Sequence, residues 1–230
     1  MKKVLLASFA LSMLALSSVA CADEYNAPAH HSSTSPVRFY IGAQAGASFM
    51  DVSADCYNYD HYYYDYYVDK CKLDDETAFT VNPHVGIDVR FDPVIGARFE
   101  LEGFYHSKTD YSYDVWNSEG RLSRDKFELE TAGGFFNSYL DIHTNSPFTP
   151  YVGFGLGFAS HDTKLNFGKN DSTTNFAYNV GLGTAINLNK NFAFDIGLRY
   201  ANYGEVLKDA YFEKVEVSSV DLLGGVRITF

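Results

Sequence analysis

The chain has 230 residues, enough for one large domain or two small ones, and carries 18 Lys and Arg against 29 Asp and Glu, a net charge of −11. That balance excludes a nucleic-acid binder, whose affinity comes largely from cationic contacts to phosphate. Aromatic residues at 17% beside an overall hydrophobic share of only 46% point away from an ordinary soluble enzyme and toward a chain with two kinds of surface.

The opening stretch, MKKVLLASFALSMLALSSVACADE, sets Lys2 and Lys3 before an apolar run from Val4 to Leu16 and then small residues. The run is too short to span a bilayer as a helix and has the pattern of a secretory signal, so residues 1–22 are expected to be removed after Ala20-Cys21-Ala22. An alternative makes Cys21 a lipidated first residue, although Ser18 stands where that motif usually has Leu; both readings stay open. Residues 23–36 are expected to form a flexible periplasmic segment, in which His30-His31 would bind a metal only weakly. Loss of Lys2 and Lys3 leaves 16 basic against 29 acidic residues, a charge of −13. It also leaves Cys56 and Cys71 as a pair in an exported chain, where a disulfide is favoured over a metal site or reactive thiols.

From residue 37 onward the sequence alternates with a period of two, the mark of strands with one apolar face. In 37–49, Phe39, Ile41, Ala43, Ala45, Ala47 and Phe49 oppose Arg38, Tyr40, Gly42, Gln44, Gly46 and Ser48. The split recurs over 79–91, 97–106, 126–142, 150–159, 175–188, 192–203 and 217–230, giving eight strands that together reach Phe230. In 126–142 the phase changes between Phe127/Leu129 and Leu140/Ile142, and a bulge near Gly133-Gly134 is expected to repair it. Asp92-Pro93, Thr144 to Pro147 and Asn189 to Asn191 read as tight turns, whereas 51–76, 107–124, 160–174 and 204–216 are long and polar.

Each strand is long enough to cross a bilayer when tilted, and alternating long and short connections are those of an outer-membrane barrel with its long loops outside. A lipocalin-type soluble barrel has the same strand number but the opposite facing. Two features favour the membrane reading. The polar faces are crowded with Gly and Ala, which suit a narrow interior. The apolar faces carry Phe39, Phe49, Phe79, Phe91, Tyr105, Phe127, Phe158, Phe176 and Phe192 near strand ends, as aromatic girdles do. The expected fold is therefore all-β, an eight-stranded antiparallel transmembrane β-barrel over 37–230, with short periplasmic turns and four longer extracellular loops.

DLLGGVRITF, ending on Phe230 with Leu222, Val226 and Ile228 alternating before it, resembles the terminal assembly signal of Gram-negative outer-membrane barrels; Gly224 departs from that alternation. PYVGFGLGFA (150–159) and NFAYNVGLGTAINLN (175–189) resemble the fifth and sixth strands of the small OmpA-like and opacity-protein-like barrels. The resemblance covers roughly 37 to 230. It implies a multi-pass protein of the Gram-negative outer membrane, engaged by the barrel-assembly machinery and surrounded by membrane lipid and lipopolysaccharide. The chain ends on the eighth strand, so no peptidoglycan-binding domain is expected to follow, and the anchoring role of full OmpA proteins does not carry over. A monomer without a cofactor is expected.

The inward faces are expected to hold Arg38, Arg90, Arg98, Arg199 and Arg227 with Asp88, Glu100, Glu102, Glu128, Glu130, Asp141, Asp195 and Asp221. In a lumen just wide enough for side chains, these groups must pair or stay hydrated, giving an ion-paired plug. A gated diffusion pore for small solutes is the alternative. Glu100/Glu102 and Glu128/Glu130 share a face because alternate residues do, so they do not argue for glycosidase chemistry. His106 with Ser107, or Ser160 with His161, sits at a height suited to a lipid-modifying enzyme, a third reading, but no motif surrounds either pair. His84 and His106 face the lumen.

The first outer loop, 51–76, carries eight acidic residues against Lys70 and Lys72. Within it, Tyr57, Tyr59, Tyr62, Tyr63, Tyr64, Tyr66 and Tyr67 lie between Cys56 and Cys71. A bridge between those cysteines would stabilise the loop by about 3 kcal/mol in the chain-entropy model. Tyrosine supplies rigid amphipathic contact area at low entropic cost, so the segment reads either as a recognition patch for a cationic, glycan or host partner or as a protease-resistant variable loop. The leading expectation is a non-enzymatic surface barrel acting in recognition, adhesion or envelope integrity.

Overall fold

The computed structural model describes residues 37–60, 65–72, 76–116, 122–165, 170–206 and 212–230. The expected signal and tail, and Tyr62, Tyr63 and Tyr64, lie outside them. Nine strands follow in chain order: β1 (Val37–Asp60), β2 (Asp65–Lys72), β3 (Glu76–Arg90), β4 (Ile95–Trp116), β5 (Leu122–Ile142), β6 (Phe148–Leu165), β7 (Asn170–Asn187), β8 (Phe192–Val206) and β9 (Phe212–Thr229). Every pairing is antiparallel between sequence neighbours, except that β1 pairs with both β2 and β3 on one edge and with β9 on the other.

The β1–β9 ladder runs from Tyr40↔Thr229 to Cys56↔Phe212 and closes the sheet on itself. The Phe230 amide donates to the Phe39 carbonyl at 2.8 Å, extending the closure to the last residue. β2 and β3 lie in line against β1, from Ser53↔Lys72 and Met50↔Glu76 respectively. The barrel therefore has eight staves, of which one is β3 continued by β2.

The period of two sorts the residues as the alternation requires. Phe39, Val85, Leu101, Phe154, Phe158 and Val180 stand on the outside, with Leu101 62% and Phe158 64% exposed. Of the expected girdle aromatics all are exposed except Phe127, whose side chain lies outside the described residues. So continuous an apolar exterior is unknown on a monomer in water and is what a lipid-facing band requires. Leu222, Val226 and Phe230 share that exterior on β9, with Ile228 half-buried.

Each short turn is held by a side-chain oxygen. Asp92 Oδ1 accepts from the Val94 and Ile95 amides, both at 2.7 Å. Asn189 Oδ1 accepts from the Asn191 and Phe192 amides at 2.9 Å. Between β5 and β6, Thr144 Oγ1 accepts from the Ser146 amide at 3.3 Å. Asx and hydroxyl turns of this kind mimic a backbone turn where the chain must reverse quickly.

Two expectations are corrected. The long polar connections are largely strand, because an antiparallel hairpin in water needs its ladder but no apolar stripe, and these segments are rich in Tyr, Val and Thr. The irregularity lies not at Gly133-Gly134 but in β4, where the register shifts between His106 and Thr109. β5 runs against β6 without interruption from Phe127↔Leu165 to Asp141↔Tyr151. Leu129 consequently points inward, and Glu128 and Glu130 point outward.

Replacing outward Val85 by Arg is expected to lower folding stability in lipid vesicles by about 2–4 kcal/mol, the cost of a cation near mid-bilayer on a barrel exterior, read from urea unfolding. The amides donated by Val94 and Ile95 hold the Asp92 carboxyl below its ordinary range. Since the folded pKa lies below the unfolded one, this contribution is present at neutral pH and is lost as pH falls through the lowered value. The protection factors of the Val94 and Ile95 amides, taken against their intrinsic exchange rates at each pH, should therefore fall on acidification in the native protein. Asp92→Asn, which keeps the acceptor without the charge, should lose that pH dependence.

Candidate functional site

The lumen is a stack of side-chain layers that runs from the turn end to the hairpin end. At the turn end Arg38 Nη2 meets Asp88 Oδ2 at 2.7 Å on the rim, where Arg90 is half-buried. Deeper, Arg98 is buried with its Nε 2.7 Å from Asp141 Oδ2 and its guanidinium between the rings of Tyr139 and Tyr151, at 4.7 and 4.8 Å. Arg227 stands 3.5 Å from Asp195 and 5.4 Å from the Tyr40 ring centre. Arginine suits these places because its weakly hydrated plane stacks on aromatic faces while pairing with a carboxylate.

In the middle layer one cation serves two anions. The Arg199 guanidinium is bonded to Glu102, and its Nε donates to Asp221 Oδ2 at 2.9 Å. Asp221 also accepts from Ser48 at 2.5 Å and Ser219 at 2.7 Å. Glu100 accepts from the Tyr40 hydroxyl at 3.0 Å and lies 3.8 Å from His84 Nε2. Asn137 donates to Glu102 at 2.9 Å and accepts from Asn179 at 2.9 Å, tying β4, β5 and β7 into one network. Such sharing is what a buried group needs, since an unpaired buried charge costs several kcal/mol.

Toward the hairpin end the lumen becomes apolar and aromatic. Phe104 stacks on Phe135 at 4.9 Å between ring centres and lies 5.3 Å from Tyr203. The Tyr203 hydroxyl sits 3.3 Å from His106 Nε2 and 3.2 Å from Ser219 Oγ. Above them Met50, Val52, Tyr111, Leu129, Val215 and Val217 are buried together with Ala78, Ala159, Ala177 and Ala201. All eight staves contribute to this layer, so it extends across the whole cross-section. Glycines on neighbouring strands leave room for its rings: a Cβ on Gly133 would meet the Phe104 ring. At Gly204 φ is +84°, a left-handed turn that lets β8 bend beside Asn175.

The structure brings Arg38, Asp88, Arg98, Glu100, Glu102, Asp141, Asp195, Arg199, Asp221 and Arg227 into the lumen, but not Glu128 and Glu130. Those two stand on the exterior, each 3.9 Å from Lys108 Nζ, and the Tyr105 hydroxyl donates to Glu130 at 2.9 Å. The physical reason is the unbroken alternation of β5, which keeps Glu128 and Glu130 on the same face as outward Phe136 and Leu140. The rings of Tyr40, Tyr139, Tyr151 and Tyr203 were hidden within faces otherwise read as polar. For Tyr40, Tyr139 and Tyr151 the signal was a bulky residue on one strand set against glycine on the next, Gly86, Gly153 and Gly183.

Neither serine–histidine neighbour pair assembles. His106 and His161 are buried inside, whereas Ser107 Oγ accepts from the Phe79 amide and Ser160 Oγ accepts from Thr174. Adjacent residues of one strand point to opposite faces, so neither hydroxyl reaches its neighbour's imidazole. Among the described residues no three His, Cys, Asp or Glu side chains converge as a metal site.

In the outer hairpin Cys56 stands opposite Asp69 and Cys71 opposite Ala54, with Tyr57↔Val68, Asn58↔Tyr67 and Tyr59↔Tyr66 beyond. The cysteines are thus two residues out of direct register; their side chains lie outside the described residues. Diagonal strand neighbours lie about 7–8 Å apart, beyond the usual disulfide span, so a bridge calls for a two-residue slip of β2 along β1, which preserves the facing of every side chain.

A closed eight-stranded barrel, apolar outside and filled with paired charges and rings inside, is the architecture of a small outer-membrane protein. The chain belongs to the outer membrane protein beta-barrel domain family, whose pattern it matches over residues 8–221. It is 30% identical over 113 residues to outer membrane protein PagN of Salmonella typhimurium, a stretch covering 41% of this chain and 47% of that relative, so the match spans about half the relative's length. Among solved structures it is similar to Neisserial surface protein A (21% identity, 84% of this chain and 97% of that one, TM-score 0.49). It is also similar to Ail, the attachment invasion locus protein of Yersinia pestis (14% identity, 80% and 98%, TM-score 0.38). These structural likenesses are ones of fold alone.

Arg199→Ala leaves the Glu102 and Asp221 carboxylates buried without their cation and should destabilise the barrel by about 3–5 kcal/mol. Adding Glu102→Gln and Asp221→Asn should recover part of that loss. Urea midpoints of the refolded proteins in vesicles, followed by the heat-dependent gel shift, measure both.

Proposed function

We propose that the protein is a non-enzymatic surface-recognition barrel of the Gram-negative outer membrane, whose lumen is a packed core and whose outer hairpins meet a host or extracellular partner. The observation that carries this reading is the filled cross-section. Ion pairs occupy the lower and middle lumen, and an apolar layer from all eight staves lies above them. A path for hydrated solutes would have to break both, which argues against the diffusion-pore reading. The burial of His106 and His161 inside, away from Ser107 and Ser160, argues likewise against lipid-modifying chemistry.

What remains available to a partner is the polar hairpin crown, above all the first hairpin with its tyrosines and acids. On this reading residues 1–22 direct export, a Cys56–Cys71 bridge restrains the hairpin, and the folded barrel works as a monomer among lipid and lipopolysaccharide.

The test displays two versions on non-adherent Gram-negative cells: wild type, and one with residues 57–70 replaced by a Gly/Ser stretch while both cysteines are kept. Both are first checked for the gel shift of a folded barrel. Wild type is expected to bind host cells or matrix proteins, and the replacement to lose that binding by at least tenfold. Equal binding by the two would place recognition elsewhere, and no binding by either would remove the adhesive reading.

A further inference from the structure

Near its crown end β8 carries a distortion that the lumen holds from within. The β8–β9 register passes from Asn202↔Ser218 to Glu205↔Glu216, so Tyr203 and Gly204 together oppose Val217 alone. The β7–β8 ladder ends at Tyr178↔Asn202. At this bulge two histidines from other staves hold Tyr203 at both its ends. His161 Nε2 lies 3.1 Å from the Tyr203 carbonyl oxygen, and His106 Nε2 lies 3.3 Å from the Tyr203 hydroxyl. All three side chains are buried.

The partners fix which nitrogens carry protons. A carbonyl only accepts, so His161 Nε2 donates to it, and His161 Nδ1, 2.9 Å from Thr131 Oγ1, accepts from that hydroxyl. Ser219 gives its proton to Asp221, so its oxygen accepts from the Tyr203 hydroxyl at 3.2 Å, and the Tyr203 oxygen accepts from His106 Nε2. Both imidazoles therefore fit in their neutral form. A second proton on His161 would set two donors against each other at Thr131. On His106 it would land on Nδ1, which has no hydrogen-bond partner and whose ring lies 5.5 Å from that of Phe104. A buried charge so placed is costly.

The surroundings do little to offset it. Arg199, Glu102 and Asp221 lie in the ionic layer beneath, and Asp162 stands in the wall beside His161. Glu76 and Glu216 lie on rungs nearer the crown. Among the described residues β1, β5 and β7 turn no charged side chain inward at this level. Asp221 already accepts from Ser48, Ser219 and Arg199, and the two imidazoles repel each other once charged. His161 lies three residues beyond the girdle ring Phe158, outside the hydrocarbon, and burial holds its imidazole below the ordinary range. Because the docked value lies below the free one, docking is complete at neutral pH and weakens as pH falls through the ordinary histidine value of about 6.5.

We propose that His106 and His161 form an acid-released clasp on Tyr203, which docks the base of the β8–β9 hairpin at neutral pH and frees it in acid surroundings. The strain of charging is relieved when Tyr203 and its bulge lift toward water at the crown, a local opening of the kind that low-stability segments undergo. Below Asn202 both ladders of β8 are continuous, so the release stops there and the barrel stays closed.

The test follows the folded full chain in lipid vesicles by hydrogen–deuterium exchange between about pH 7.5 and about pH 4.5, a window that spans the ordinary histidine value. Rates are expressed as protection factors against the intrinsic rate at each pH. Protection at 203–206 and 215–217 is expected to fall at least tenfold on acidification, while 194–198 of the same strand stays unchanged. The double variant His106→Gln, His161→Gln keeps a side-chain donor and acceptor at both places without a titrating ring, and its protection should be flat across the range. Flat protection in wild type would overturn the proposal, as would a fall that survives in the double variant. A fall that spreads through 194–198 would show general unfolding and overturn it as well. Should the double variant lack the gel shift of a folded barrel, the histidine ring carbons of wild type are titrated by NMR instead. Both buried rings must then gain their protons together with the loss of protection at 203–206, and charged rings beside intact protection would overturn the clasp.

Discussion

A chain that enters hydrocarbon without helices must bond every main-chain donor and acceptor to itself, and this condition governs the molecule. Eight staves satisfy it only because β1 finds β9 as well as β3, and the closure reaches from Cys56↔Phe212 down to the Phe230 amide on the Phe39 carbonyl. Once the ring is closed at eight, its diameter is set, and the interior has room for side chains but little else. The lumen chemistry follows from that width. Large groups fit only where a neighbouring strand yields space, as Gly133 does for Phe104 and Gly183 and Gly197 do for Tyr151. Charges fit only where partners lie within reach, as Arg199 serves both Glu102 and Asp221.

The same width separates scaffold from function. The shared ion pairs of the interior rigidify the barrel, and rigidity lets the hairpins project without a core of their own. The ladders carry them: β4 and β5 remain paired to Trp116↔Leu122, and β6 and β7 to Lys164↔Asn170.

Much of this was legible in the sequence. The two-residue period gave the staves, the side facing lipid and ten of the luminal charges, because inside a bilayer each strand must be apolar on one face. The turns at Asp92, Thr144 and Asn189 were visible through residues whose side chains bond their own backbone. Where the strands leave the bilayer that constraint ends and the signal fades. Leu129 looked like a lipid-facing residue and Glu130 like a luminal one, because an apolar side chain suggested lipid, whereas above the membrane Leu129 has no lipid to face and keeps the inward phase that β5 carries from Phe135. The hairpins were read as loops for the same reason. The aromatic layer was obscured differently: Phe104 and Phe135 lie on the paired strands β4 and β5, but Tyr203 comes from β8, and only the closed ring brings it onto them.

The outward cluster of Lys108, Glu128 and Glu130 also fixes how deep the protein sits. These residues begin just beyond Tyr105, the last ring of the girdle on β4, and across the ladder Glu130 stands opposite Asp162 and Glu128 opposite Asp110. Sinking the barrel toward the periplasm by a rung or two would draw carboxylates into hydrocarbon, while lifting it would drag the polar turns at Asp92 and Asn189 in from below. Between those stops the barrel has one resting height, so the hairpin crown is presented at a constant distance above the lipid surface.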